Sequence, residues 1–186
     1  VDFVLQETGI VGVVTQLGEV IKARAFVLTV GTFLGGQIHV GERVYGGGRA
    51  GDAASNQLLE KMKVLKCSFG RLKTGTPPRI DGKTIDFSGL EVQHSDNPCP
   101  YFSLAFKPDQ TTQQRPCYLA YTSLETKSIV ARHAHQSAMY AGTIVGAGPR
   151  YCPSIEDKVK RFSHHDQHQV FLEPEDLLGR EYYPNG

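Results

Sequence analysis

A cysteine stands directly in front of a well-marked helix start in the run Gly148-Pro149-Arg150-Tyr151-Cys152-Pro153-Ser154-Ile155-Glu156-Asp157-Lys158-Val159-Lys160-Arg161-Phe162. Ser154 is a natural N-cap, and Asp157 follows at the capping-box spacing. Ile155, Val159 and Phe162 recur at i, i+4 and i+7, the apolar stripe of a helix. Glu156 and Asp157 fall in the first turn, Lys160 and Arg161 in the last, so the charges suit the helix dipole. A thiol at such an N-terminus faces backbone N–H groups and partial positive charge, both of which favour the nucleophilic thiolate. Arg150, two residues away, adds to the effect. The chemistry would be covalent attack by sulfur. Most cysteines are instead small buried hydrophobes, and both readings stay open on these residues alone.

The elements that would position such a thiol are those of an α/β protein. Val11 to Thr15 is a β-rich run, Gln16-Leu17-Gly18-Glu19 a turn, and Val20 to Arg24 alternates like a half-buried strand. Ala25-Phe26-Val27-Leu28-Thr29-Val30 is nearly all apolar, which predicts a strand covered on both faces, of the parallel kind. It runs into Gly31-Thr32, and α/β folds place ligands at such strand ends. Gly35-Gly36 and Gly46-Gly47-Gly48-Arg49-Ala50-Gly51-Asp52 follow. Asp52 can cap a helix with Leu58, Met62 and Leu65 on its apolar face. A glycine-rich approach to a helix N-terminus can bind phosphate, although most glycine clusters are plain loops.

Net charge and cysteine usage narrow the function classes. The chain has 186 residues, 40% hydrophobic, with net charge +1, enough for one domain or two small ones and not an obvious polyanion binder as a whole. Residues 61–79, however, hold six Lys or Arg and no Asp or Glu. Such a patch can meet phosphates; charge alone favours a solvated helix face followed by a polar loop. Cys67, Cys99, Cys117 and Cys152 are far apart, with no C-x-x-C, so neither a zinc site nor a disulfide framework is indicated. Reduced thiols in a cytosol-like compartment are expected. No apolar run approaches a membrane span, and no signal peptide is present. The chain opens at Val1 and closes on Tyr183-Pro184-Asn185-Gly186, read as a turn signal; a segment of a longer protein is expected.

Residues 70–79 mix cations, threonines and a Pro-Pro step and cannot form a regular helix or central strand. A basic, stiff loop suits a ligand or nucleic-acid contact, and a crossover between subdomains equally. The composition shift at 66–80 marks the best subdomain boundary. Residues 86–116 read as irregular, with His94 and Asp96 as surface residues rather than metal ligands. Cys117 to Thr122 reads as a strand, Thr126 to His135 as a helix. His164, His165 and His168 form a polar cluster, better explained by a solvated loop than by a metal. Val170-Phe171-Leu172 is a short strand entering Glu173-Pro174-Glu175.

Gly31-Thr32-Phe33-Leu34-Gly35-Gly36, Gly47-Gly48-Arg49-Ala50-Gly51-Asp52, the stretch from Gly70 to Ile80, Met139-Tyr140-Ala141-Gly142, the run 148–162 and Phe171-Leu172-Glu173-Pro174-Glu175 occur in this order. Together they closely resemble the MnmG (GidA) family of FAD-dependent tRNA wobble-uridine modification enzymes, over essentially the whole chain. The resemblance implies a glutathione-reductase-like FAD/NAD(P)-binding flavoprotein fold with an inserted NADH-binding domain. Residues 1–70 would be part of the FAD domain and 71–186 part of the inserted domain, both continuing beyond this chain. It implies a cytoplasmic homodimer, not membrane-bound, working with the GTPase MnmE. The pair would add a carboxymethylaminomethyl or aminomethyl group at uridine C5, with methylene-tetrahydrofolate as carbon donor, glycine or ammonium as amine donor, FAD as redox mediator and NADH as its reductant.

By the same resemblance, residues 148–162 match the family's NAD-contacting segment, and Cys152 one of its two essential cysteines. Ser55 matches a position that touches FAD, Gly31 and Thr32 the strand end returning toward the flavin, and residues 61–79 lie near the tRNA path. Ala53-Ala54 stand where the family commonly has Pro-Pro. The flavin fingerprint G-x-G-x-x-G, the second cysteine and the family's helical C-terminal region have no counterpart in these residues, so the chain reads as a middle piece, inactive alone. Cys152 would add to uridine C6, or serve in proton transfer while the other cysteine attacks. A folate- and FAD-dependent tRNA methyltransferase of the TrmFO type and a non-catalytic binding or dimerisation module are the alternative functions.

Overall fold

The computed structural model describes residues 2–7, 9–105, 113–144, 146–148 and 153–186. The chain divides into two compact units, Val1–Thr74 with His135–Gly148, and Gly75–Ala134 with Pro149–Gly186. All sheet pairings in both are antiparallel.

The first unit opens with a meander of β1 (Asp2–Gln6), β2 (Gly9–Val14) and β3 (Val20–Lys22). The expected turn at 16–19 is closed by the Thr15 N–H on the Glu19 carbonyl at 2.9 Å. Phe3 of β1 is buried, and helix α1 (Asn56–Val64) packs on that strand, with Lys61 Nζ 3.1 Å from Asp2 Oδ2. Leu58, Met62 and Leu65 form the half-buried face, as their spacing predicted. The cap is not Asp52. The N-cap position falls to Ser55, because Asp52 is already used in a turn: its N–H donates to Arg49 and its carbonyl accepts from Gly48. A two-stranded hairpin, β4 (Gln37–Val40) and β5 (Arg43–Gly46), turns at Gly41 with φ +57°.

Helix α1 ends in a tight C-terminal turn. The Lys66 N–H donates to the Lys63 carbonyl and the Cys67 N–H to the Met62 carbonyl, the paired bonds of a Schellman motif. This puts Lys66 at the left-handed position, φ +59°, where glycine is usual.

Residues 25–30 form no strand. They are exposed except for a half-buried Phe26, and Val27 is 86% exposed. An apolar run becomes a buried strand only when neighbours pair with both its edges. Among the described residues no strand lies beside this one.

The second unit is built on a five-stranded sheet in the order β6 (Ile80–Asp81), β10 (Glu181–Asn185), β9 (Gln169–Pro174), β8 (Cys117–Tyr121), β7 (Glu91–Gln93). Apart from β7, residues 86–105 and 113–116 are irregular, as read. Tyr118, Tyr182 and Phe87 form an aromatic cluster on one face, with ring centroids 4.4 and 5.3 Å from Phe87. Leu172, cross-strand from Tyr118, is buried beside them. Such pairs add to the area they bury. Helix α2 (Leu124–His133) begins two residues earlier than expected, because Ser123 and Thr126 form a reciprocal capping box.

The expected closing turn at 183–186 is instead the end of β10, containing Pro184. Proline survives there because β6 pairs only with Glu181 and Tyr182, so no neighbour needs the missing N–H. Pro174 on β9 likewise lies past its last pairing with β8.

His168 departs most from its reading. It is not solvated but 8% exposed, its backbone bonded in both directions to Thr122, and its Nε2 has no hydrogen-bond partner. Burial, then Lys158, His165 and Lys127, hold its pKa below the usual value. The folded state thus keeps this ring neutral where the unfolded chain would protonate it. Stability should therefore fall as pH drops from about 6.5 toward the lowered folded value, and recover above it. Urea midpoints of the chain between pH 5 and 8 should show this rise, and His168→Gln should flatten it. A second expectation concerns the helix end. Lys66→Gly should raise stability by roughly 0.5–1 kcal/mol, by relieving the left-handed strain, in the same denaturation assay.

Candidate functional site

The described site residues of the first unit meet at a crossing of two glycine loops. Gly31 adopts φ +60°, and both it and Thr32 are exposed. The next carbonyl, that of Phe33, accepts N–H bonds from Gly36 and from Ser55, each 3.2 Å, which ties the end of residues 25–32 to the start of α1. The Gly47 N–H donates to the Gly36 carbonyl at 3.3 Å, and the Gly48 N–H to Asp52 at 3.1 Å. Gly35, Gly36, Gly47 and Gly48 are all buried.

Their lack of a side chain is a steric requirement. A Cβ on Gly36 would stand 2.7 Å from the Gly47 carbonyl oxygen, and one on Gly48 2.6 Å from that of Ala53. The crossing delivers Ser55 to the N-cap of a nine-residue helix, with no side-chain capping bond and no acidic residue in the first turn. An anion at this helix end would meet N–H groups and the positive end of the dipole. The residues present therefore fit the phosphate-bearing part of a dinucleotide cofactor: backbone kept bare by glycine, and a hydroxyl at an open helix end.

The other proposed segment divides. Gly148 closes the first unit and is exposed. Pro149, Arg150, Tyr151 and Cys152 lie outside the described residues. Pro153 is half-buried, and Ser154 is the N-cap of α3 (Ile155–Arg161), its hydroxyl accepting from the Asp157 N–H at 3.3 Å as expected. Ile155, Glu156, Asp157 and Lys158 are half-buried, and Val159 is buried. Lys160, Arg161 and Phe162 are exposed; Phe162 is the C-cap, beyond the helix, so the stripe stops at Val159.

The basic stretch is partly neutralised. Lys61 pairs with Asp2, Lys63 with Glu60 at 2.7 Å, and Arg79 Nε with Glu175 Oε1 at 3.2 Å. The Arg79 guanidinium also lies 4.3 Å over the Tyr183 ring. Lys66 and Lys73 have no ion pair among the described residues, and Arg71 donates to the Gly35 carbonyl at 3.4 Å. Of the other thiols, Cys67 and Cys99 are exposed, whereas burial and then Glu173 push the Cys117 thiol up, away from the reactive form. No metal-ligand cluster occurs among the described residues, His94 and Asp96 are exposed as read, and no helix is long and apolar enough to cross a membrane.

Sequence reasoning placed Arg71 in the basic loop and His168 in a histidine cluster but missed what holds each: Arg71 donates to the Gly35 carbonyl, 36 positions away, and the burial of His168 depends on Thr122, 46 positions away. It did not single out Gly146, whose missing Cβ faces the Arg71 carbonyl oxygen.

The family described as Glucose inhibited division protein A matches residues 1–186. The chain belongs to this family. It is similar to the structure of Aquifex aeolicus GidA in the form I crystal, with 43% identity and a TM-score of 0.80, covering 100% of this chain and 32% of that one. For the form II crystal the values are 40% and 0.78, covering 100% and 30%. The chain thus spans about a third of the length of the GidA chains it matches.

The glycine crossing yields a stability expectation. Gly48→Ala drives a methyl into the Ala53 carbonyl and should destabilise the chain by roughly 1–3 kcal/mol, as overpacking does. Gly46→Ala, at the end of β5 two residues earlier, meets open space and should cost far less. Denaturant unfolding of the two variants measures the difference.

Proposed function

We propose that the protein to which this chain belongs is a flavoenzyme of tRNA modification, which adds an aminomethyl or carboxymethylaminomethyl group at C5 of a wobble uridine. The observation that carries this reading is the family match along all 186 residues. The glycine crossing at α1 supports it, because it suits a dinucleotide cofactor. On this reading Gly31, Thr32 and Ser55 belong to the FAD cradle of a glutathione-reductase-like fold. Of the stretch 71–186 expected to form an inserted NADH-binding domain, residues 75–134 and 149–186 make up the second compact unit, while 71–74 and 135–148 belong to the first; residues 148–162 are the NADH segment on this reading. The enzyme works as a cytoplasmic homodimer with MnmE.

FAD, when bound, supplies the redox chemistry, with NADH as its reductant. The chain's own part is nucleophilic. Uridine C5 is a poor nucleophile until a group adds to C6. The Cys152 thiolate adds there, and the displaced electron pair makes C5 an enolate carbon. C5 then attacks the methylene carbon of the folate donor, whose carbon–nitrogen bond breaks with its electron pair going to nitrogen. Loss of the C5 proton expels the Cys152 thiolate from C6. Glycine or ammonium displaces the remaining folate nitrogen from the new methylene, its proton passing to that nitrogen. Lys66, Arg71 and Lys73 offer the phosphate contacts that hold the tRNA, positioning it without reading its sequence.

Cys152→Ser in the full-length protein should abolish wobble modification while FAD stays bound. Mass spectrometry of tRNA nucleosides, with the flavin absorption spectrum alongside, measures both. Normal modification by that variant removes Cys152 from the mechanism. A methyl group in the T-loop would point to the TrmFO type of reaction. Binding of tRNA with no modification by the full-length protein and MnmE would leave only a binding module.

A further inference from the structure

The ladder between β8 and β9 ends at the pair Tyr121 and Gln169. One step beyond it, Thr122 and His168 continue the pairing in a different way. The Thr122 N–H donates to the His168 carbonyl at 2.9 Å, whereas the His168 N–H finds the Thr122 hydroxyl, also at 2.9 Å, in place of a backbone carbonyl. The pair stands where β8 leads into α2 and where the segment after α3 enters β9. A second tie crosses the same junction: Lys127 Nζ of α2 donates to the Ser163 carbonyl at 2.8 Å and lies 3.5 Å from Asp166 Oδ1. Residues 161–167 are all exposed, and His168 is the first buried residue after them. Its ring is the weak point of the junction. Among the described residues nothing is hydrogen-bonded to Nε2. The groups that act on the ring are cations or can become so: Lys127 from α2, Lys158 from α3, and His165 from the connecting segment, with ring centroids 6.2 Å apart. Thr122 and Gln169 at the strand ends carry no charge, and the Asp166 carboxylate already pairs with Lys127.

We propose that Thr122 and His168 form an acid-sensitive latch, which ties the segment 162–168 to the corner between β8 and α2 and opens locally when the His168 ring takes up a proton. A proton on the buried ring is a charge with no acceptor, set among cations, and exposing the ring to water relieves it. Opening is local because the rest of the segment is already in water, while the cluster of Phe87, Tyr118, Tyr182 and Leu172 stays packed. In the closed state burial, and then the cations, hold the ring below its usual pKa, so the open state is the one that binds the proton. The closed state therefore has its full stability above about pH 6.5 and loses it as pH falls below that value. The ratio of open to closed forms rises by up to about tenfold between about pH 7.5 and about pH 5.5. The latch lies wholly within the second unit and owes nothing to the proposed reaction.

The test is amide hydrogen exchange on the full-length protein across the same pH range, read by mass spectrometry with the intrinsic exchange rates divided out. The Thr122 and His168 amides should exchange at least about tenfold faster at every pH than amides within the β8–β9 ladder, because they open without the core. Their protection should fall by about threefold to tenfold from the upper to the lower pH. His168→Gln should abolish that fall. Thr122→Val removes the hydroxyl that receives the His168 N–H; it should speed exchange of the His168 amide by about threefold or more at every pH and keep the fall. Latch amides that exchange no faster than the ladder overturn the proposal, because only global unfolding would then expose the ring. Protection that does not change with pH in the parent overturns it too, as does a fall that survives in His168→Gln. If His168→Gln does not fold, the parent profile and Thr122→Val decide.

Discussion

Backbone passes backbone in the first unit at distances that no side chain tolerates. At Gly36, Gly48 and Gly146 the atom facing the missing Cβ is a carbonyl oxygen 2.5–2.7 Å away. Carbonyl groups cannot rotate aside as a side chain can, so these contacts admit little adjustment. They also place N–H groups and carbonyls where they bond one another: Gly47 to Gly36, Gly48 to Asp52, Lys73 to Ala147. Close approach and hydrogen bonding are one constraint here, and three features depend on it. Ser55 reaches the start of α1, the helix end stays open to an anion, and residues 146–148 are held against 71–73.

Charge follows a similar division. The basic stretch carries formal positive charge throughout, yet the ion pairs to Asp2, Glu60 and Glu175 spend part of it on holding the fold. Pairs this exposed contribute only about 0–1 kcal/mol each. What they change is where unpaired positive potential remains, namely near Lys66 and Lys73. Lys66 is the more telling of the two. It occupies a left-handed helix terminus where glycine would be more stable, a local rule broken in favour of a cation. The phosphate contact proposed for Lys66 would supply a reason that folding does not.

Most local elements were legible because their determinants are local. The turn at 16–19, the face of Leu58, Met62 and Leu65, the Ser154 cap and strands β8 and β9 follow from short-range spacing. The misreadings share a different cause. Asp52 has the right residue type for a cap but is held in a turn by Gly48 and Arg49. Pro184 looks like a strand breaker until the length of β6 is known. His168 looks solvated until Thr122 is brought beside it. Residues 25–30 have the composition of a buried strand, but that state depends on neighbours that the described residues do not supply. In the site, the glycine loops were visible as composition, whereas their crossing was not. Gly146 and Arg71 are linked by a contact across 75 positions that no window of sequence contains.

The thiolate argument from sequence also needs a magnitude. Helix α3 has seven residues, and its first turn already carries Glu156 and Asp157. A helix terminus stabilises a charge by about 0.3–1 kcal/mol when exposed, less than one pKa unit. Two carboxylates at the same end do not favour a further anion there, and Arg161 lies 3.8 Å from Asp157. The helix terminus alone is therefore a weak source of thiolate character. A useful thiolate fraction requires a full positive charge nearby, and Arg150 is the cation nearest in sequence.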